Sequence, residues 1–265
     1  MAIMDAEKKA RIIERLRDDE EYFGEFGQQY LSNSDMKTLL EKPDLYGARW
    51  DSNVDFLKGR YLHHRVLQPE LFEVEGEYPM VIVDCNTRNN KEYKDIVAEN
   101  TLEGIEKPLY LLKKEADEMN FLADKVLANA DFREALTGNR QPNEVEEPEI
   151  MELFGYWFKG KADRINKHMG IVPDFKTTRS LSAFTSNFKK YGYHGQAYIY
   201  DELFGMPVEF FVIDKETGRL GRFQVSEETL LEGKAFVMAG LERLEYYYGV
   251  NALGDISQYY ETGLI

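Results

Sequence analysis

The chain has 265 residues, 43% hydrophobic and 31% charged, the balance of a globular protein with a real core. A single cysteine, Cys85, excludes an internal disulfide, a cysteine zinc site and a cysteine-held iron–sulfur cluster. The opening MAIMDAEKKARIIERL lacks the apolar stretch of a secretory leader, and no run approaches the ~18 apolar residues of a membrane helix, so a reducing, cytoplasmic setting is expected.

Taken in chain order, the first part reads as helical. Residues 5–18 place Ile12, Ile13 and Leu16 at helical spacing. Ser34 is a candidate cap for a short helix carrying Met36, Leu39 and Leu40, stopped by Pro43. Residues 52–67 predict another helix, and Met80–Val83 a short strand. A long amphipathic helix is expected over 113–136, ending at Gly138. The segment 139–149, with two prolines and many charges, reads as a linker or exposed loop. Strands follow at 152–166 and 171–177, then helices at 180–190 and 193–204. A hairpin over 207–214 and 219–225 turns at Glu216–Gly218, and Ser226 opens a closing helix through Tyr248. Helices, a strand-rich middle and helices again predict an α/β (α+β) fold.

The net charge of −15 argues against a nucleic-acid surface, but it is unevenly spread. Residues 156–190 hold eight basic side chains (Lys159, Lys161, Arg164, Lys167, Lys176, Arg179, Lys189, Lys190) against Asp163 and Asp174, so this stretch is +6 and the rest −21. A basic island in an acidic body predicts one confined site for a polyanion.

The island contains Gly160-Lys-Ala-Asp163-Arg-Ile and Pro173-Asp174-Phe-Lys176-Thr-Thr. Strand side chains alternate faces, so Asp174 and Lys176 share one face and Phe175 takes the other. If 156–166 and 171–177 form a hairpin about Lys167–Gly170, paired positions sum to 337, and Asp163 lies opposite Asp174. Directly opposite Cβ atoms are about 5 Å apart, and two carboxylates there repel unless a cation sits between them. Hard oxygen ligands suit Mg²⁺ or Mn²⁺. Such an ion would polarise a phosphoryl oxygen, while Lys176 positions or deprotonates water or stabilises phosphate charge.

These residues resemble the nuclease core of the PD-(D/E)XK superfamily, most closely the phage exonuclease VIII (RecE-type) and RecB-like group. Further pieces match in family order from about residue 30 to 225. Tyr30-Leu-Ser32-Asn-Ser34 through Leu40 resembles the group's N-terminal Ser-x-Ser…Leu-Leu helix start, and Leu67-Gln-Pro69-Glu70-Leu-Phe72 its Leu-x-Pro-x-x-Phe continuation. Gly59-Arg-Tyr-Leu-His63 resembles the Gly-x-x-x-His motif whose histidine ligates metal, and Gln196-Ala-Tyr-Ile-Tyr200 the Gln-x-x-x-Tyr motif. Gly59 and His63 are one helical turn apart, and a glycine there would let the helix approach the sheet closely. Gln196 and Tyr200 likewise share a helical face, where Gln196 can bond a phosphate or metal-bound water and Tyr200 can act near the substrate.

The expected site is therefore Asp163, Asp174, Lys176, Gln196 and Tyr200 for catalysis, with His63, Asp163 and Asp174 as metal ligands. Lys161, Arg164, Arg179, Lys189 and Lys190 are expected to grip the DNA backbone. Ser32 and Ser34 can approach a terminal phosphate, and Glu152 can enter the site. No Gly-x-x-x-x-Gly-Lys-Ser/Thr loop is present, so ATP-driven work is not encoded.

The resemblance implies one nuclease domain over residues 1–265, with a helical part at 1–138, a catalytic sheet core at 150–225 and a closing helix at 226–248. It implies a restriction-endonuclease-like core, a central mixed β-sheet flanked by helices. It further implies Mg²⁺- or Mn²⁺-dependent exonucleolytic hydrolysis of linear double-stranded DNA, 5′ to 3′, in phage-type recombination in a bacterial host's cytoplasm. A ring-like homo-oligomer and a single-strand annealing protein partner come with it. The alternatives are an endonuclease or single-strand-specific nuclease of the same superfamily, or a non-catalytic acidic DNA mimic or assembly protein.

Overall fold

A computed structural model describes residues 5–48, 53–73, 78, 80–102, 109–138, 140–141 and 144–262. The chain opens with helices α1 (Ala6–Leu16), α2 (Asp19–Phe23), α3 (Asn33–Glu41) and α4 (Val54–Leu67). A β1–α5–β2 unit follows, β1 (Met80–Val83) pairing in parallel with β2 (Leu109–Leu112) around α5 (Lys91–Leu102). Then come α6 (Lys113–Ala128), α7 (Ala130–Thr137), and strands β3 (Val145–Leu153), β4 (Tyr156–Arg164) and β5 (Val172–Thr178). The last part is α8 (Leu181–Asn187), α9 (Tyr193–Phe204), β6 (Val208–Asp214), β7 (Leu220–Gln224) and α10 (Glu227–Tyr248). No described helix is long and apolar enough to cross a membrane.

The strands form a mixed arrangement: β3 and β4 antiparallel, β5 parallel to β6, and β6 antiparallel to β7. This mixed α+β layout fits a restriction-endonuclease-like core. β6 is buried at every position, which is why its sequence, VEFFVID, is nearly continuously apolar. One core cluster joins α4, α6 and α7 to Phe175, Phe211 and Ile213 on one face of the β5–β6 pair; another packs α8 and α9 against Val172, Phe210 and Val212 on the other.

Several boundaries differ from expectation, each for a local reason. Ser32, not Ser34, caps α3: Ser32 and Asp35 form a reciprocal capping box, and Ser34 is exposed in the first turn. The expected 113–136 helix breaks at Asn129, whose side chain accepts from Phe132 N–H at 3.1 Å and starts α7. The expected loop 139–149 holds the start of β3, an edge strand among the described residues, and an edge tolerates Pro148.

The expected β4–β5 hairpin does not form as a ladder. Its base has the expected register, Asn166 bridging to Ile171, but β4 then pairs with β3 and β5 with β6. Where a ladder bond would fall, the Phe175 N–H donates to the Asp163 side chain at 2.7 Å. The two strands splay, and a carboxylate fills the opening.

Candidate active site

Three elements bring two acids and a histidine together. In the β3–β4 ladder, Val145 pairs with Arg164 and Glu147 with Ala162, so Glu146 and Asp163 face each other between those pairs. His63 of α4 completes the group: its ring nitrogen is 3.7 Å from Asp163 Oδ1. One ligand atom from each of His63, Glu146 and Asp163 lies within 4.8 Å of the others. Glu146 adopts φ +49°, a left-handed conformation that costs a non-glycine residue roughly 1 kcal/mol.

Asp174 and Lys176 project from β5 beside this group. Lys176 Nζ lies 2.5 Å from Asp174 Oδ2, and the Gln196 amide donates to Asp174 Oδ1 at 2.6 Å. Asp174 is 1% exposed. α9 can deliver Gln196 because Gly160 leaves room: a Cβ there would come within 2.6 Å of Leu203 and 2.7 Å of Tyr200. The Tyr200 hydroxyl donates to the Lys161 carbonyl at 2.8 Å, so it fixes β4 against α9 rather than facing the cleft.

The ionisation pattern follows from packing several acids around too few cations. Burial and neighbouring Asp163 push Glu146 up to about 8, while Lys161 and Arg60 pull the other way. Burial raises Asp174 to about 6; Lys176 opposes the rise and Asp163 adds to it. Asp163 is also raised by burial, against Lys176 and the Phe175 N–H. Lys176 moves upward, because Asp174 and Asp163 outweigh its own desolvation. Burial, then the Lys176 charge, lowers His63 to about 4 and keeps the imidazole neutral, the form that binds a cation. A hard divalent cation fits this donor set: two facing carboxylates, a neutral imidazole and net negative charge.

The structure therefore brings His63, Asp163, Asp174, Lys176 and Gln196 into one neighbourhood, with Tyr200 behind it. The reason offered for His63 is corrected: a Cβ on Gly59 would meet nothing within 4 Å, so that glycine makes no close approach. His63 instead rests on Phe175, ring centroids 5.1 Å apart. Asp163 faces Glu146 across a ladder, not Asp174. Glu152 is exposed and paired with Trp157, far along β3 from the acids. Glu146 is the residue that sequence reasoning missed. Buried Pro148 and Ile150 share its strand parity, and extending that alternation upstream would have found it.

The expected DNA grip is mostly redistributed. Arg164 is fully buried, donating to the Gly138 carbonyl at 2.6 Å and lying 3.6 Å from Glu144. It neighbours Asp163, so alternation turns it to the opposite face, away from any substrate. Lys161 is 2.8 Å from Asp19. Lys159 is buried against the Tyr22 carbonyl and ring. Arg179 and Lys189 are exposed and paired with Glu216 and Glu232, and Lys190 is exposed. The Ser32 hydroxyl is taken by Asp35 at 2.6 Å.

A family model described as a PDDEXK-like domain of unknown function (DUF3799) matches residues 32–227. The chain belongs to this family. The matched range contains His63, Glu146, Asp163, Asp174, Lys176 and Gln196. Among solved structures, a protein from Eubacterium rectale described as a putative exonuclease is similar over 86% of this chain and 85% of its own, at 18% identity and a TM-score of 0.58. A phage-related exonuclease from Haemophilus somnus 129PT aligns over 61% of this chain and 87% of its own, at 15% identity and a TM-score of 0.31. The first of these likenesses supports the shared fold. Among curated proteins no sequence matches.

Proposed function

We propose that the chain is a metal-dependent DNA nuclease working as one domain, and that it degrades linear double-stranded DNA from its ends. The observation that carries this reading is the convergence of His63, Glu146 and Asp163 within one ion's reach, beside Asp174 and Lys176. His63, Glu146 and Asp163, with Asp174 at their side, would hold Mg²⁺ or Mn²⁺. A bound divalent ion supplies Lewis acidity toward a phosphoryl oxygen and lowers the pKa of water.

The chain's own residues do the rest. Glu146 and Asp163 concentrate negative charge where a cation must neutralise it. Gln196 and Lys176 fix the Asp174 carboxylate from two sides. Lys176 stays protonated, held up by Asp174 and Asp163, so it acts as a charge donor to a phosphate oxygen rather than as a base. The Phe175 N–H ties β5 to the Asp163 side chain of β4, and the Tyr200 hydroxyl ties α9 to β4.

The end-dependent, 5′ to 3′ double-strand activity, the recombination setting, the ring-like homo-oligomer and the annealing partner rest on the motif resemblance to phage exonuclease VIII. End-labelled linear duplex and covalently closed circular DNA, each incubated with Mg²⁺, with Mn²⁺ and with chelator, test the reaction. Loss of linear duplex with the circle intact, abolished by chelator, is expected. Cutting of the circle would establish the endonuclease alternative. No hydrolysis at any enzyme level would favour the non-catalytic one.

A further inference from the structure

A second cationic pair lies beside the metal group, and the chain itself already fills it. Arg60 stands on α4 one turn before His63, and Lys161 on β4 two residues before Asp163. Both converge on Asp19, the first residue of α2: Arg60 Nη2 is 2.6 Å from Oδ2, and Lys161 Nζ is 2.8 Å from Oδ1. Each carboxylate oxygen has its own cation, the geometry in which two such groups hold two oxygens of a phosphate. The Lys161 side chain is only 7% exposed, whereas Asp19 is 44% and Arg60 30%, so an anion from solvent reaches the pair by way of Asp19. Two residues along a strand span roughly 7 Å. That is the order of the separation between neighbouring phosphates of one nucleic-acid strand. Asp19 also stands outside the family match, which begins at residue 32, whereas Arg60 and Lys161 stand inside it.

We propose that Arg60 and Lys161 form a subsite for a phosphate next to the scissile one, that Asp19 fills it in the free protein, and that incoming DNA displaces Asp19. The N-terminal segment thereby damps DNA binding. This rests on the nuclease reading. Displacement needs only the Asp19 side chain to swing out, because other contacts hold the segment. Arg17 pairs with Glu147, Lys9 with Glu149 at 2.9 Å, and Lys159 with the Tyr22 carbonyl. The competing role is a static brace that aims the two cations. The two roles predict opposite signs on neutralising Asp19.

The test uses the full chain and a fluorescent duplex oligonucleotide, with binding read in Ca²⁺ so that cleavage does not intervene. Asp19→Asn keeps the shape and removes the charge. It is expected to tighten binding about fivefold, with the protein still folded at the assay temperature. Lys161→Met and Arg60→Gln are expected to weaken binding and to flatten the salt dependence by about one ion each. Adding Asp19→Asn to Lys161→Met plus Arg60→Gln is expected to give no further gain, since the competitor then guards nothing. Unchanged or weaker binding by Asp19→Asn overturns the proposal, as does an equal gain without the two cations. If Asp19→Asn does not stay folded at the assay temperature, Asp19→Ser is read by the same criteria. Wild-type protein that neither binds nor cuts DNA overturns the nuclease reading as well, whereas cutting without tightening by Asp19→Asn overturns the subsite alone.

Discussion

The β1–α5–β2 region and the β4–β5 cleft both bury carboxylates beside a cation, and they differ in whether the charges match. At the start of α6, Arg88 makes two 2.7 Å bonds to the two oxygens of Glu115, which also accepts from Leu112 N–H at 2.9 Å. Burial alone would raise the Glu115 pKa; the Arg88 and Leu112 bonds more than offset it, and the carboxyl sits below its ordinary value. In the cleft, Asp163 and Asp174 share Lys176, Lys161 and Arg60 pull on Glu146 without offsetting its burial, and all three acids are raised. A complete ion pair is a brace. An incomplete one keeps a standing demand for positive charge, which a divalent cation can meet.

The comparison breaks most visibly at catalysis. Lys176→Ala and Asp174→Ala are each expected to cost about a thousandfold or more in hydrolysis, roughly 4 kcal/mol, read as acid-soluble nucleotide release at saturating Mn²⁺. Hydrolysis that survives one of these changes would remove that residue from the chemistry.

Next, the two glutamates should respond with opposite signs to one change. In chelator, Glu115→Gln is expected to destabilise by about 2 kcal/mol, because Arg88 loses its partner. At neutral pH Glu146→Gln is expected to raise the melting temperature, because it removes the proton uptake that burial beside Asp163 imposes on this carboxyl during folding. The same variant should weaken Mn²⁺ binding at least about tenfold by titration calorimetry. Destabilisation of the metal-free protein by both variants would show that the cleft is an ordinary brace.

The pH dependence sharpens the same point. Glu146 titrates at about 8 and Asp174 at about 6 in the folded chain, both above their ordinary values of 4.5 and 3.8. Above those ordinary values the folded state binds more protons than the unfolded one, so stability falls as pH rises. The metal-free melting temperature should drop between about pH 4 and 8 from this source. The stabilisation given by Mg²⁺ should grow over the same window, because the ion replaces the protons. A metal-induced shift that is flat with pH would place the ion elsewhere. The smallest effects belong to the exposed cations. Arg179→Ala and Lys190→Ala should each weaken duplex binding by no more than about threefold, measured by anisotropy at moderate salt.

Much of this site was legible. Asp174-x-Lys176 on one strand face follows from local periodicity, while His63 and the Gln196–Tyr200 pair come from the motif resemblance; the structure places His63 and Gln196 beside Asp174 and Lys176, with Tyr200 behind. Two carboxylates do face each other, but with another partner than expected. Asp163 faces Glu146, because β3 outcompetes β5 for the β4 ladder. Calling 139–149 a loop hid Glu146, since prolines and charges are as common on an edge strand as in a linker. The basic island was over-read. Counting charge along the chain ignores that Asp163 and Arg164 must face opposite ways, and Arg164 ends fully buried.

By itself the sequence determined most of the helices and strands and the chemistry each can carry. Strand and helix periods are local properties, and so is the face on which a residue falls. Only the tertiary structure decided which strands pair and which acids meet. The energies separating one strand partner from another are differences in long-range burial, with no local trace. For that reason a glutamate at a left-handed backbone position, unremarked as sequence, stands beside Asp163 in the site.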